Sequence, residues 1–595
     1  MKSSSLLTLA LLCLFLVLNV GVVEPIICNG EESPGAVMST YVSSIDLGPG
    51  IVVMYSANEY VLVLITEQPP RYFSEPLLYV LIYLVNARTG RVIESYSGVL
   101  NLRSRTFSSF SGKLFWYFYP LAIPKGLNIG DTIALYNGTR FRVYGVVTKV
   151  LRIGEVSYPV KGIPRIKGKR VMLLRCLMLS NGSDVMYFDE FSGIFVEGTL
   201  RLHGRVLRLK LIATNVKWRI SEYSILIDWY RLRDFVLELE RRYRDLVHVN
   251  VIGHSVLGRE IYVVELNPGA RYTILITACI HGDEVITAVT CLHTLKKLCS
   301  LVLNNTSFRE ELIRCNVAIA FIPMLNPDGV ERAKIQPPNF LFLYSRCNAR
   351  YVDLNRNFPQ YWLTKYTEKC VYGTVTYRGP KPASEPETRA LMRYVESRDV
   401  VLHIDLHSGI KLILVPYENS VRDKVLKELI HEVASSLSIK VVLTAPSGEA
   451  IWWTYLGVEP TKRALSLIYE IYHGEGKEDY FQIYNPVSKE EIEKVCEETS
   501  QVLITIIRKT LRNLDEIIKI RKEISTKTKY RGTALESHKV EETKQITYIA
   551  ALTLAPILTV IIAVVIMKYV KSSRNNKVFK EYLSSVEGGR GLRYP

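Results

Sequence analysis

Apolar positions change their period once along the main body of this chain. From about residue 30 to 215, runs such as IVVMYS, YVLVLITE, LLYVLIYLV and FRVYGVVTKVL are short, rich in Val, Ile, Leu and Tyr, and broken by Gly, Pro and Asn. Such runs between turn residues read as strands, and no long amphipathic helix or internal repeat interrupts them. The segment predicts an all-β domain, a sandwich or a barrel. It carries no catalytic constellation, and a spacer, a binding module and a pro-region all fit it.

From about 216 the pattern alters. Asp228 to Arg242 has helical periodicity with one charged face. Apolar strand candidates then alternate with helical stretches, at Ile261–Leu266, Tyr272–Thr277, Val317–Ile322, Val400–Leu406 and Ala464–Tyr472. That alternation predicts an α/β domain over residues 216–520. Its last long helix is predicted to begin at a capping box, Ser488 with Glu491, and to end near Ile520. Residues 521–545 are charged, polar and weakly periodic, and read as a stalk.

Both ends point to a membrane. Lys2 precedes an apolar run, so residues 1–27 read as a signal peptide, or as an uncleaved anchor because no clean small-x-small site follows. Ile546 to Met567 is apolar and long enough to cross a bilayer, and membrane helices tolerate a proline such as Pro556. Lys568, Lys571, Arg574, Lys577 and Lys580 follow, which places residues 568–595 in the cytoplasm and the rest outside the cell membrane.

Composition narrows the classes. A chain of 595 residues is too long for one core, and 48% hydrophobic with 22% charged residues excludes long disorder. The net charge is +17, but Lys and Arg read as scattered and no nucleic-acid motif is present. The charge therefore predicts a basic surface facing anionic lipid or cell envelope, not nucleic acid. Ten cysteines do not make a disulfide scaffold in a chain of this size, although an oxidising compartment permits pairing. Sequons at Asn137, Asn181, Asn304 and Asn305 hint at surface.

Candidate chemistry gathers in the α/β part. In LITACIHGDEVITAV, His281 and Glu284 lie at the exit of an apolar strand. Alone, they fit a solvated pair as well as two metal ligands. A catalytic zinc site needs about three ligands and an open position. VVLHIDLHSG offers His407 at a strand's C-terminal edge, where open α/β sheets place their sites. His403, earlier on that strand, reads as core. Glu470 interrupts the apolar ALSLIYEIYH, where a carboxylate is costly unless paired or functional. It fits a salt bridge or a base with a tuned pKa. SRCNARYVDLNRNFP clusters Arg346, Asp353, Asn355 and Arg356. Arg with Asn can hold a carboxylate, and a second Arg can stabilise an oxyanion, although a basic surface loop has the same composition.

GHSVLGREI, HGDE, NPDG, VDLNRNF, YRGPKPASEPETRAL, DLHSG and YEI occur in the order found in zinc metallocarboxypeptidases of the carboxypeptidase A/B type. Over about residues 216–520 the chain resembles that family. The resemblance implies a mixed central sheet flanked by helices, and one Zn2+ per chain held by His281, Glu284 and His407. It makes Glu470 the general base and proton shuttle, and Arg346 the stabiliser of the developing oxyanion. Asn355 and Arg356 become the clamp on the substrate's terminal carboxylate, Asp353 the carboxylate orienting His281, and the Ser408 carbonyl a substrate contact. It also implies a disulfide between Cys347 and Cys370.

The chain departs from the family pattern at several places. Thr444 stands where the digestive enzymes carry a mobile tyrosine, with Tyr455 as a possible substitute, and Gly409 stands where a substrate-contacting tyrosine follows the zinc histidine. Glu418, Glu449 and Ile451 fall near the expected side-chain pocket, where an acid would favour C-terminal Lys or Arg; a solvated loop charge suits Glu418 equally. The implied function is a membrane-anchored, extracytoplasmic carboxypeptidase acting on peptide or protein C-termini. A cell-wall amidase acting on γ-linked or D-containing peptides and an inactive surface binding protein are the alternatives.

Overall fold

The computed structural model describes residues 44–529 apart from 112–114, 117–120, 136–137, 160–162, 203–204, 417–424, 427, 429, 432–433 and 436–438. The expected signal, the membrane span at 546–567 and its basic tail lie outside the described residues.

Residues 52–214 build a 12-stranded sheet. Its strands are β1 (Val52–Ala57), β2 (Tyr60–Glu67), β3 (Leu77–Asn86), β4 (Val92–Asn101), β5 (Phe107–Ser109), β6 (Phe115–Trp116), β7 (Thr132–Ala134), β8 (Arg140–Val156), β9 (Ile166–Ser180), β10 (Val185–Asp189), β11 (Phe195–Leu202) and β12 (Arg205–Thr214). The order is β6-β5-β4-β3-β2-β1-β12-β11-β10-β9-β8-β7, and β12 also pairs in parallel with β8, Ala213 beside Gly154. That extra pairing closes β8 to β12 into a ring, while β1 to β6 continue as an open antiparallel meander. The seam is two residue pairs long, Ala213 with Gly154 and Thr214 with Glu155, and covers the strand edge only there. It needs glycine at 154, because a Cβ on Gly154 would overlap Ile166 and crowd Ala213. The expected all-β part is thus one continuous sheet, and buried residues of β1–β5 share a single core with those of β7–β12.

After the short helix α1 (Ile220–Ile225), α2 (Trp229–Arg242) starts at Asp228, whose side chain accepts from the Arg231 amide. The second sheet has 8 strands, in the order β13-β14-β16-β15-β17-β20-β18-β19. They are β13 (Val247–His254), β14 (Glu260–Leu266), β15 (Tyr272–Ala278), β16 (Val317–Ile322), β17 (Asp399–His407), β18 (Lys411–Val415), β19 (Val441–Leu443) and β20 (Leu465–Ile471). β16, β15, β17 and β20 run parallel, whereas β14 and β18 are antiparallel to their inner neighbours. The sheet is therefore mixed. Its inner strands are apolar on both faces because helices cover both.

α3 (Val285–Asn304) covers one face, with α4 (Thr306–Cys315) beside it, and α5 (Pro327–Ala333) follows β16. α6 (Pro386–Ser397) covers the other face through Ala390, Leu391, Tyr394 and Val395. α3 is long and apolar enough to cross a membrane, but 67% of its apolar stretch is buried inside the protein. Its lack of a polar face reflects a core position.

At the C-terminal side, α7 (Tyr480–Tyr484) leads to α8 (Lys489–Arg512). Ser488 caps α8 by accepting from the Glu491 amide, as its capping box predicts. The helix breaks at Asn513, and α9 (Leu514–Lys529) continues past the expected end. Helix therefore covers residues 521–529 of the segment read as a stalk. Ile517 and Ile520 are buried, and Arg521 anchors the helix by pairing with Asp399 at 2.8 Å.

The two sheets are docked through buried charge. Arg259 of the α/β part is fully buried and donates to Asp46 at 2.6 Å and to Asp328 at 2.8 Å. Lys125 bridges Asp46 and Glu331, and Lys334 bridges Glu331 and Asp228.

Candidate active site

The C-terminal ends of β15, β17 and β20 open on one side of the sheet, and the chain places its candidate residues there. β15 leads into the turn His281–Glu284, and Glu284 immediately precedes α3. Gly282 is required in that turn: a Cβ there would overlap Gly329 and the Ser345 carbonyl. β17 ends on His407, and Glu470 of β20 is its register partner.

His281, Glu284 and His407 are buried and converge, each offering one ligand atom within 4.8 Å of the others. His281 Nδ1 lies 2.7 Å from Glu284 Oε1, His407 Nδ1 lies 3.1 Å from Glu284 Oε2, and the two Nδ1 atoms are 3.1 Å apart. The outer ring nitrogens are occupied elsewhere. His281 Nε2 meets Asp353 Oδ1 at 3.1 Å, and His407 Nε2 meets Asp405 Oδ2 at 3.0 Å. A carboxylate at each outer nitrogen favours the tautomer that carries its proton there, which leaves Nδ1 to face the cluster as a ligand atom.

Two facing lone pairs and a carboxylate fit a cation. A tetrahedral zinc site with bonds of about 2.0–2.1 Å has ligand separations of about 3.3 Å, close to the spacing here. The electrostatics agree. Burial works against charged imidazoles, yet Glu284 with Asp353, and Glu284 with Asp405, hold His281 and His407 above their ordinary values. Burial likewise opposes the Glu284 charge, and the two histidines outweigh it. The pocket has an excess of negative charge for a divalent ion to neutralise.

Arg346 donates through Nε to Asp353 at 3.0 Å, and its Nη1 reaches 3.1 Å from His281 Nδ1. Burial opposes its charge, but Asp353, Asp283 and Glu284 outweigh burial and fix it as a cation at the rim. Asp353 also caps the turn Leu354–Arg356 by accepting from the Asn355 amide. Asn355 is buried; its Oδ1 accepts from Ala450 and its Nδ2 lies 3.4 Å from His407 Nε2. Arg356 Nη1 donates to the Asn355 carbonyl and approaches Glu449 at 3.4 Å. Its Nε and Nη2 have no protein partner among the described residues.

Glu470 Oε2 is enclosed without a hydrogen-bond partner, and burial pushes this carboxyl up to about 7 against the pull of His407. Ser408 donates its amide to Glu284 Oε2 and its hydroxyl to the Tyr484 carbonyl. His403 sits in the core, bonded to Thr277 and Thr454 as a structural histidine.

Other sequence expectations fare differently. Cys347 and Cys370 are free thiols, which corrects the expected disulfide: Cys347 Sγ is directed to the Val375 carbonyl at 3.2 Å. Glu418 lies outside the described residues. Glu449 stands beside Arg356, its carboxylate held by Ser447 and Thr444. Ile451 and Tyr455 are fully buried in the core, so neither lines an open pocket.

Three residues escaped the sequence reading. Asp405 lies two residues before His407 on β17, and that period-2 spacing puts both on one face. Asp283 has both carboxylate oxygens enclosed without a partner and is raised to about 7 by burial and by Glu284. Tyr484 occupies the room that Gly409 leaves: a Cβ on Gly409 would come 2.8 Å from the Tyr484 ring, at a φ of +128° that favours glycine. An aromatic ring of α7 thus packs directly against the backbone of residue 409. No local sequence signal announces that pairing.

A mixed sheet bearing a His-Glu-His cluster, an enclosed carboxylate and two arginines at its parallel strand ends defines a metallohydrolase-like centre. Residues 232–499 match the family model described as zinc carboxypeptidase. The catalytic chain of carboxypeptidase N from Rattus norvegicus is 32% identical over 236 residues, which are 37% of this chain and 49% of that protein. The catalytic chain of carboxypeptidase N from Homo sapiens is 35% identical over 197 residues, covering 30% of this chain and 42% of that one. The match therefore spans about half or less of either relative's length. A carboxypeptidase A from Helicoverpa armigera aligns in three dimensions at 20% identity with a TM-score of 0.39, over 48% of this chain and 74% of that one.

Proposed function

We propose that this protein is a zinc-dependent carboxypeptidase that removes the C-terminal residue of peptides or proteins outside the cell membrane. One observation carries the reading: the Nδ1 atoms of His281 and His407 and the Glu284 carboxylate converge beside Glu470, whose Oε2 is enclosed and unpartnered. Bound there, zinc would polarise a carbonyl and acidify water.

The chain's own groups supply the rest. Glu470, ionised above about pH 7 or lower beside a cation, accepts the proton of the attacking water and returns it to the leaving amine. Arg346, held by Asp353, offers a fixed positive charge to the developing oxyanion. Arg356 presents its open edge to the substrate's terminal carboxylate, and its paired edge is held by Asn355 and Glu449. A free C-terminus is thereby required. The apolar segments at 1–27 and 546–567 support an anchored, outward-facing enzyme.

The test is release of single residues from N-blocked peptides ending in Lys, Phe or Glu, with amidated controls. Chelator-sensitive release that vanishes on amidation is the expected result. Release only from γ-linked or D-containing peptides would replace the reading with an amidase, and bound zinc with no hydrolysis of any substrate would overturn it. Arg356→Ala is expected to raise KM by about tenfold or more with a smaller change in kcat, the loss of one charge-assisted contact of about 1.5–3 kcal/mol. An unchanged KM would remove Arg356 from the clamp.

A further inference from the structure

The β8–β9 ribbon carries a concentration of charge that the hydrolase site does not use. Residues 140–176 contain ten Lys or Arg and one acid, Glu155, in a chain whose net charge is +17. More than half of that net charge thus sits in one hairpin, which corrects the reading of Lys and Arg as scattered.

The ribbon is also unpartnered along its length. β8 meets β7 only up to Arg142 and β12 only from Gly154, and β9 meets β10 only from Cys176 onward. Between those limits the two strands pair with each other alone. One face, with Leu151, Ile153 and Leu174, is core. The opposite face is open. There Val150 stands across from Leu173 and Arg152 across from Val171, and Val150, Val171 and Leu173 are each 66% exposed. Arg152, Lys167 and Lys169 flank them and take no ion-pair partner among the described residues. Tyr144, 55% exposed, lies farther along β8. At Leu173 and Arg175 the face runs into a cleft of about 410 Å³ shared with Phe191, Ile220 and Tyr230.

An aliphatic centre ringed by unpaired cations is a contact surface rather than ordinary solvated sheet. Its chemistry discriminates between polyanions. Single-stranded nucleic acid is gripped by cations with aromatic platforms on which bases stack. Val150, Val171 and Leu173 offer no such platform and no hydrogen bonds, but they gain by entering the headgroup boundary of a bilayer while Lys and Arg meet lipid phosphates. We propose that the outer face of the β8–β9 ribbon docks on an anionic lipid surface, a contact separate from the apolar segment at 546–567 and independent of the hydrolase reading.

The full chain would be reconstituted in bilayer discs of phosphatidylcholine alone or of phosphatidylcholine with phosphatidylglycerol. Acetylation rates of Lys167 and Lys169 would be read by mass spectrometry, with Lys411 of β18 as the internal reference. Slower labelling of both lysines on anionic discs, reversed by high salt, is the expected result; each engaged cation contributes about fivefold to binding at an anionic surface. The V171D/L173D variant should lose this protection while labelling at Lys411 and peptide hydrolysis stay at wild-type levels. Equal labelling on both discs would overturn the proposal. So would protection by duplex DNA on neutral discs, which would identify a nucleic-acid surface, or protection that depends on protein concentration without anionic lipid, which would identify a self-association face.

Discussion

Glu470→Gln is expected to yield a folded, zinc-loaded protein with kcat lowered by about 10²–10⁴-fold, the contribution of a positioned general base. The substitution keeps shape and removes only the ability to take a proton. Glu470 is suited to that part because its Oε2 is enclosed and unpartnered, so no competing donor holds the carboxylate. Burial pushes its pKa up to about 7, with His407 and His281 pulling the other way and Glu284 adding to the rise. The sign follows directly: the protonated form dominates below that pKa and cannot act as base. The wild-type kcat/KM should therefore fall on the acid side, with a midpoint at or below about pH 7 because a bound cation lowers it further. Zinc content of the variant, measured by elemental mass spectrometry, should equal that of the wild type, since Glu470 is not one of the three converging ligands. A variant that keeps near-normal kcat would take the base role away from Glu470; one that loses zinc would make it a structural partner of the cluster.

The parts of this site legible in the sequence were those fixed by local pattern. β15 and β17 are apolar runs that end on His281–Glu284 and His407, so strand termini alone brought the cluster to one edge of the sheet. Glu470 stood out as a carboxylate in an apolar strand. What remained hidden depends on contacts between distant segments. Asp405 became meaningful only once β17 was known to turn that face toward the site. Tyr484 filling the space above Gly409 joins positions on different elements. The Cys347–Cys370 pairing was implied by resemblance and failed because Cys347 is directed to Val375 instead. The basic ribbon was legible as ten Lys or Arg within residues 140–176; only the pairing of β8 with β9 shows that Arg152, Lys167 and Lys169 flank one exposed aliphatic face. The continuation of helix past Ile520 was missed because the described buried apolar positions of α9, Leu514, Ile517 and Ile520, end there, and Arg521 holds the next turn through a half-buried Asp399.

Replacing Arg259 by Met should destabilise the protein by about 3–5 kcal/mol, the cost of breaking a buried ion pair from one side. Arg259 is fully buried between Asp46 of the β part and Asp328 of the α/β part, with contacts of 2.6 Å and 2.8 Å. Without it, Asp46 keeps only Lys125 at 3.4 Å, and Asp328 keeps the Ser255 hydroxyl and the Leu257 amide. A carboxylate enclosed without a counter-charge is the expensive outcome, not the loss of attraction itself. The triple change R259M/D46N/D328N should therefore recover much of the stability, because neutral amides need no counter-ion.

The same network bears on what the β part does. Its loops also brace the segment that carries Arg346 and Arg356: the Tyr351 hydroxyl donates to the Leu77 carbonyl, the Tyr372 hydroxyl to the Pro69 carbonyl, and the Tyr72 hydroxyl to Glu385. A removable pro-region would leave these donors and the Asp46–Arg259 pair exposed. An integral brace predicts instead that the two parts unfold together. In urea, intrinsic fluorescence and zinc release should report one transition for the wild type, shifted to lower denaturant in R259M. Separate transitions for the two parts, or an R259M midpoint within error of the wild type, would show that the β part is an independent appendage and that this buried charge network contributes little to joining it.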